Sequence, residues 1–339
     1  MRLGLHIGHW GARPLDAVPL VQEAERLGFA SVWTSEAWGS DAVTPLTWVA
    51  AHTERIGVGT AIMQIAARTP AATAMTAITL DHLTGGRFRL GLGISGPQVV
   101  EGWHGVPYAR PLERTREYVG IVRAILRRDA PVEFRGEHYR LPAEGGTGMG
   151  KPLKSIVHPL RADLPIYLAA MGRGNVALAA EIADGWLPIL FSPERMGVFR
   201  PSLEHGFARG GRDPGALDVA AMAPVEVGDD VEACRDRVRP LLALYVGGMG
   251  APGRNFYNAL VSRYGYEAEA KEIQELYLDG HHREAAAAVP DALVDEVALV
   301  GPPERIRDRM AAWREAGVTT LLAQARDVGT LRTLAEANA

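Results

Sequence analysis

One phrase of sequence recurs along the chain and limits its fold more than any other feature: an amphipathic helical stretch, a turn containing glycine, then a short apolar or β-branched run. It reads AERLGFASVW at 24–33, HTERIGVGTAIM at 52–63, DHLTGGRFRLGLG at 81–93, AEIADGWLPIL at 180–190 and WREAGVTTLLAQ at 313–324. Each glycine fits the residue just past a helix end, where a left-handed backbone carries no Cβ penalty. The opening run Arg2–Ile7, LPIYLAA at 164–170 and ALDVAAMA at 216–223 complete a set of eight candidate strands alternating with helical patterns. Eight such units predict an α/β fold of the (β/α)8 TIM-barrel type, and 339 residues at 47% hydrophobic are enough to build one. A doubly wound open sheet is the competing arrangement; it requires a topological switch point. The chain is read as a single barrel domain over 1–339 with two insertions, about 129–163, which holds the loop EGGTGMGKPLKS, and about 245–298, which is largely helical. Both are expected over the C-terminal face of the barrel, where catalytic loops lie.

Charge and cysteine usage narrow the partners. With a formal net charge of -4, the chain has no global field to attract nucleic acid or an anionic membrane, so a small organic molecule is the expected partner. The N-terminal MRLGLHIGHWG is broken too soon by His and Gly to act as a secretory apolar segment, and no apolar run reaches the ~18 residues of a membrane span; a cytoplasmic location is expected. Cys234 is the single cysteine, which excludes a disulfide framework and a cysteine-based metal site. His104 and the pair His281-His282 lack acids or cysteines at ligand spacing, so no metal is expected.

The stretch RFRLGLGISGPQVVEG sets Gly91, Gly93 and Gly96 in the order G-x-G-x-x-G. A dinucleotide fingerprint requires its third glycine to open a helix and an acid to end the next strand about 20 residues on. Here Pro97 and the aromatic-rich PQVVEGWHGVPYARP follow, and Glu113 and Glu117 lie within the helical pattern ERTREYVGIVRAIL. The run reads better as a barrel strand, Phe88 to Gly93, releasing a Gly/Ser loop into the mouth, where backbone amides can approach a planar ring.

The segments TSEAWGSDAVTPLTWVAAHTERIGVGTAIMQIAARTPAATAMTAITLDHLTGGRFRLGLGISGP and LPIYLAAMGRGNVALAAEIADGWLPI resemble the bacterial-luciferase-like superfamily, and within it the oxidoreductases that use the deazaflavin coenzyme F420. The likeness spans nearly the whole chain. It implies a non-proline cis peptide after the third strand, at Ala61 and Ile62, supporting the back of the cofactor ring, and a homodimer or higher homo-oligomer. It also puts the cofactor phosphate in the loop Ala170, Met171, Gly172, Arg173, Gly174 and Asn175. Free amides at the start of the helix NVALAAEIA suit an anion, and Arg173 adds a charged donor; the alternative is an ordinary Gly-rich turn. Ser95, Gly96 and Gln98 fall where the family lines the ring's polar edge.

Glu36 ends the second strand in WTSEAW, where relatives often have an acid followed by histidine; Ala37 stands here instead, which argues against a sugar-phosphate dehydrogenase. Glu36 is read as the candidate proton donor, with a capping or salt-bridging glutamate as its bland alternative. Of His6 and His9 around the end of strand one, His9 is preferred as site-facing, and Trp10, Trp38 and Trp103 as walls of a substrate pocket. Together these imply an F420-dependent oxidoreductase reducing a C=N, C=C or C=O bond by hydride transfer. An FMN-dependent luciferase-like monooxygenase and a non-catalytic cofactor-binding protein are the alternatives.

Overall fold

In the computed structural model, which describes residues 1–339, eight strands pair in parallel around a closed ring. They are β1 (Arg2–Gly8), β2 (Ser31–Thr34), β3 (Gly57–Thr60), β4 (Phe88–Gly93), β5 (Ile166–Ala169), β6 (Gly185–Leu187), β7 (Asp218–Val227) and β8 (Thr320–Gln324). Asp218 and Val219 lie opposite Gly185 and Trp186, and Arg2 opposite Thr320, so β6–β7 and β8–β1 pairing closes the sheet and leaves no edge. All eight are the strands expected from the sequence, five within the repeated phrase and three outside it, and the open-sheet alternative is excluded.

Side-chain N-caps begin some of the helices, while others, such as Val18–Arg26 and Pro303–Glu315, carry none. Thr69, Asp230 and Asp327 accept hydrogen bonds from backbone N–H groups of Ala72, Ala233 and Thr330. Gly28 and Gly317 have φ of 82° and 95° and end helices as predicted. Gly57 and Gly185 depart from that expectation: both lie inside strands, at positions where a Cβ would run into the Arg89 guanidinium or the Tyr167 ring.

Strand alternation sends Trp33, Ala61, Tyr167, Leu187, Ala220 and Leu322 into the barrel lumen as a cluster separate from the larger core beneath the helices. Trp33 and Tyr167 meet edge-to-face with centroids 5.2 Å apart. Gly59 and Gly185 leave room for these rings, since a Cβ would lie 2.5 Å from Trp33 in the first and closer still to Tyr167 in the second. At the N-terminal end Asp218 accepts hydrogen bonds from Tyr167 at 2.8 Å, Thr319 at 2.6 Å and Thr320 at 2.8 Å, and pairs with Arg2 at 2.9 Å. These contacts tie the N-terminal ends of β1, β5, β7 and β8 together.

The two long segments have different placements. Leu299–Gly301 pairs with Val225–Val227, so the helical excursion between them leaves and returns at the C-terminal level of β7. Its Tyr264 hydroxyl donates to the Leu190 carbonyl at 2.8 Å and its Arg263 to the Met171 carbonyl at 2.7 Å, which puts it over the ends of β5 and β6. The segment from 129 to 163, expected over the same face, wraps the outside of the barrel instead. It follows helix Pro111–Arg127, whose Glu117 accepts from the backbone of Glu137, His138 and Tyr139, and it ends at the barrel base, where Arg161 bonds Asp81 and the Phe88 carbonyl. No helix is long and apolar enough to cross a membrane.

Candidate functional site

The mouth is built from the residues that end β1 to β5, β7 and β8. After β3 the Ala61–Ile62 peptide is cis. The Ala61 N–H donates to the Thr34 carbonyl at 2.6 Å, and the Ile62 carbonyl accepts from the Glu36 N–H at 3.2 Å. The Ile62 side chain fills the space that Gly93 leaves open: a Cβ on Gly93 would sit 2.7 Å from it. The third glycine of the G-x-G-x-x-G run has a role the sequence pattern did not reveal. Gly96 caps a short helix, Pro97–Gly102, where an aromatic-rich loop was expected; barrel closure, not the lack of a helix, is what removes the dinucleotide reading. Ser95 has a left-handed φ of 58°, Gly96 is half-buried, and Gln98 is exposed.

Glu36 is buried under this bulge, its side chain 6% exposed. One carboxylate oxygen accepts from the Gln64 N–H at 2.7 Å and from Arg68 at 2.6 Å; the other accepts from the Ala42 N–H and from Arg68, both at 3.0 Å. Four donors converge on two oxygens, which makes Glu36 an acceptor that ties the loop after β2 to the bulge after β3. That arrangement corrects the expectation of a proton donor: no lone pair or hydroxyl is left facing the mouth.

Helix Arg173–Ile182 follows β5. Its N-cap is Gly172, no side chain caps it, and its first turn holds no acid. Gly172, Arg173 and Gly174 are exposed, while Ala170 is buried and Met171 and Asn175 half-buried. Arg263, from the helical excursion, reaches the same loop through the Met171 carbonyl and lies near enough for the Arg173 charge to lower its pKa, after burial, which lowers it most. Two guanidiniums and a helix N-terminus form a strongly electropositive corner.

The two histidines exchange the places expected of them. His6 faces the lumen and is buried, its pKa lowered to about 4, chiefly by burial. His9 lies beyond the strand on an exposed loop, Nδ1 3.3 Å from Ser35 Oγ. Period-two alternation from Gly4 through His6 could have identified the inward histidine. Trp38 and Trp103 stand on the rim, 53% and 66% exposed, and Trp10 is half-buried with its N–H bonded to Ser40 at 3.0 Å. His104 Nε2 meets Gln64 Oε1 at 3.1 Å and so couples the loop after β4 to the bulge.

A closed barrel with these polar side chains gathered at its C-terminal mouth defines an α/β-barrel enzyme scaffold. The chain belongs to the luciferase-like monooxygenase family, whose model matches residues 3–320. It is 51% identical over 340 residues, covering 99% of this chain and 98% of the relative, to a Mycobacterium tuberculosis protein assigned to the coenzyme F420-dependent oxidoreductases. It is 28% identical over 305 residues, 89% of this chain and 87% of the relative, to the 5,10-methylenetetrahydromethanopterin reductase of Archaeoglobus fulgidus. The solved coenzyme F420-dependent tetrahydromethanopterin reductase of Methanopyrus kandleri superposes with a TM-score of 0.82 at 23% identity, over 99% of this chain and 97% of that one.

Proposed function

We propose that this chain is a coenzyme F420-dependent oxidoreductase that reduces a C=N, C=C or C=O bond of an organic substrate. The observation that carries the reading is the corner made by Arg173, Arg263 and the uncapped helix at Gly172, two strands round the barrel from the bulge at Ala61–Ile62. Two like charges held together with no carboxylate partner favour an anion between them, and a phosphate satisfies both guanidiniums and the free amides. The relative at 51% identity supports F420 as the molecule that carries this phosphate. When bound, a reduced deazaflavin supplies a hydride to the substrate.

The chain's own residues hold and orient. Glu36 and Arg68 position the bulge, on which Ile62 lies against Gly93. Ser95 and Gly96 offer a hydroxyl and an amide to the polar edge of a ring; Trp10, Trp38 and Trp103 surround the opening and shield it from water. His9 and Gln98, both exposed, are rim residues in this reading and do not carry the proton.

The reading is tested by titrating the purified chain in parallel with F420, FMN and NADP, following cofactor fluorescence, and then mixing the loaded, reduced protein with oxygen. Selective F420 binding without rapid oxygen consumption is expected. Selective FMN binding with fast oxygen consumption would turn the assignment to a monooxygenase, and binding of none would remove it.

A further inference from the structure

His6 carries the one buried polar atom of the lumen's upper layer that has no partner. The residue is 6% exposed on β1, and its Nε2 makes no hydrogen bond. Its Nδ1 lies 3.4 Å from Gln324 Nε2, and that same amide nitrogen lies 3.1 Å from Met222 Sδ. A thioether sulfur can only accept. An amide turned the other way would set its oxygen against sulfur lone pairs, so the nitrogen faces both neighbours and donates to Nδ1. The proton of the neutral ring therefore resides on Nε2. Burial keeps the ring neutral near pH 7, and the charge of His9 acts in the same direction; the Ala61 carbonyl opposes them but completes no hydrogen bond with the ring.

We propose that His6 donates an Nε2–H hydrogen bond to a carbonyl oxygen or ring nitrogen of the molecule bound in the mouth, with Gln324 as the positioning residue that fixes its tautomer. This rests on the cofactor-site reading above. A buried N–H without an acceptor is unfavourable in the free protein, and a ligand acceptor removes the deficit. A neutral imidazole polarises its acceptor, and the bond strengthens as negative charge gathers there during reduction; no bond to hydrogen breaks at His6. Glu36 has no free valence for this role and His9 lies outside the lumen, so His6 is the ionisable side chain whose donor is available there.

The test is NMR of the full chain labelled with ¹⁵N-histidine. The His6 signals are assigned by their loss in His6→Phe, or in His6→Gln if the first variant does not fold. The free protein at pH 7 should show a neutral His6 protonated on Nε2, and Gln324→Leu should give a mixture of tautomers. A shift of the His6 Nε2 proton on adding F420 alone assigns the acceptor to the cofactor ring, and His6→Phe should then weaken F420 binding about tenfold, a single bond of this kind. A shift only when acetone is added to the F420 complex assigns it to the substrate carbonyl. An Nδ1–H tautomer, a cationic ring at pH 7, or an Nε2 proton unmoved in both arms would overturn the inference. If the wild-type chain fails to bind F420, the cofactor reading falls and takes the inference with it; binding with a silent His6 removes the inference alone.

Discussion

Glu36→Gln separates a carboxylate that positions from one that gives a proton. The substitution keeps the side chain's shape but exchanges one acceptor oxygen for an NH2 group, in a pocket where Gln64 N–H, Ala42 N–H and two Arg68 nitrogens all donate. At least two of these donors then lose their acceptor, one a backbone amide and one part of a guanidinium. Each buried loss costs about 1–3 kcal/mol, and the charged one is softened because Arg68 is 21% exposed and water can reach it. The expected total is about 3 kcal/mol. With an unfolding entropy of about 2.1 cal/mol/K per residue over 339 residues, that corresponds to a fall in Tm of roughly 4 °C. Calorimetry of the cofactor-free chain reads the stability, and stopped-flow single-turnover reduction reads the chemistry. A companion Arg68→Gln should be non-additive with Glu36→Gln, since each removes the other's partner. If Tm stays within 1 °C of wild type while the single-turnover rate falls about 100-fold, the positioning argument is wrong and Glu36 is the acid after all.

Arg173→Glu should weaken F420 binding by about 1–3 kcal/mol, and Arg263→Gln by a comparable or smaller amount, with little change in Tm; unchanged affinity in both, measured by fluorescence quenching, would remove the phosphate site. Folding stability should fall as pH drops from 6.5 towards 4, because His6 in the unfolded chain takes up a proton near the ordinary histidine value of 6.5 while in the folded chain it waits until about 4. The slope from this residue is about 1.4 kcal/mol per pH unit in that window and flattens below it; urea denaturation across the range should show the slope, and His6→Phe should lack it. Gly185→Ala should destabilise the barrel by about 3 kcal/mol or more, since its Cβ meets the Tyr167 ring, and Tyr167→Leu in the same chain should recover part of that loss in chemical denaturation.

The sequence by itself determined the barrel. Strand alternation, helical period and turn chemistry are written in consecutive residues, so all eight strands were legible, and so was the strand-to-helix turn from Ala170 to Asn175, to which we assign an anion as a proposal. The cis peptide at Ala61–Ile62 was legible only through the family resemblance. Tertiary structure decided the rest. Arg68 stands 32 positions from Glu36, Arg263 is 92 from Met171, and Gln324 is 318 from His6. Which polar groups meet across such separations depends on how the barrel closes and which way each strand turns its side chains. That is why Glu36 read as a free acid, His9 as the inward histidine and Gly185 as a turn. Closure surrounds the first with four donors, turns His6 inward in place of the second, and lays an aromatic ring against the third.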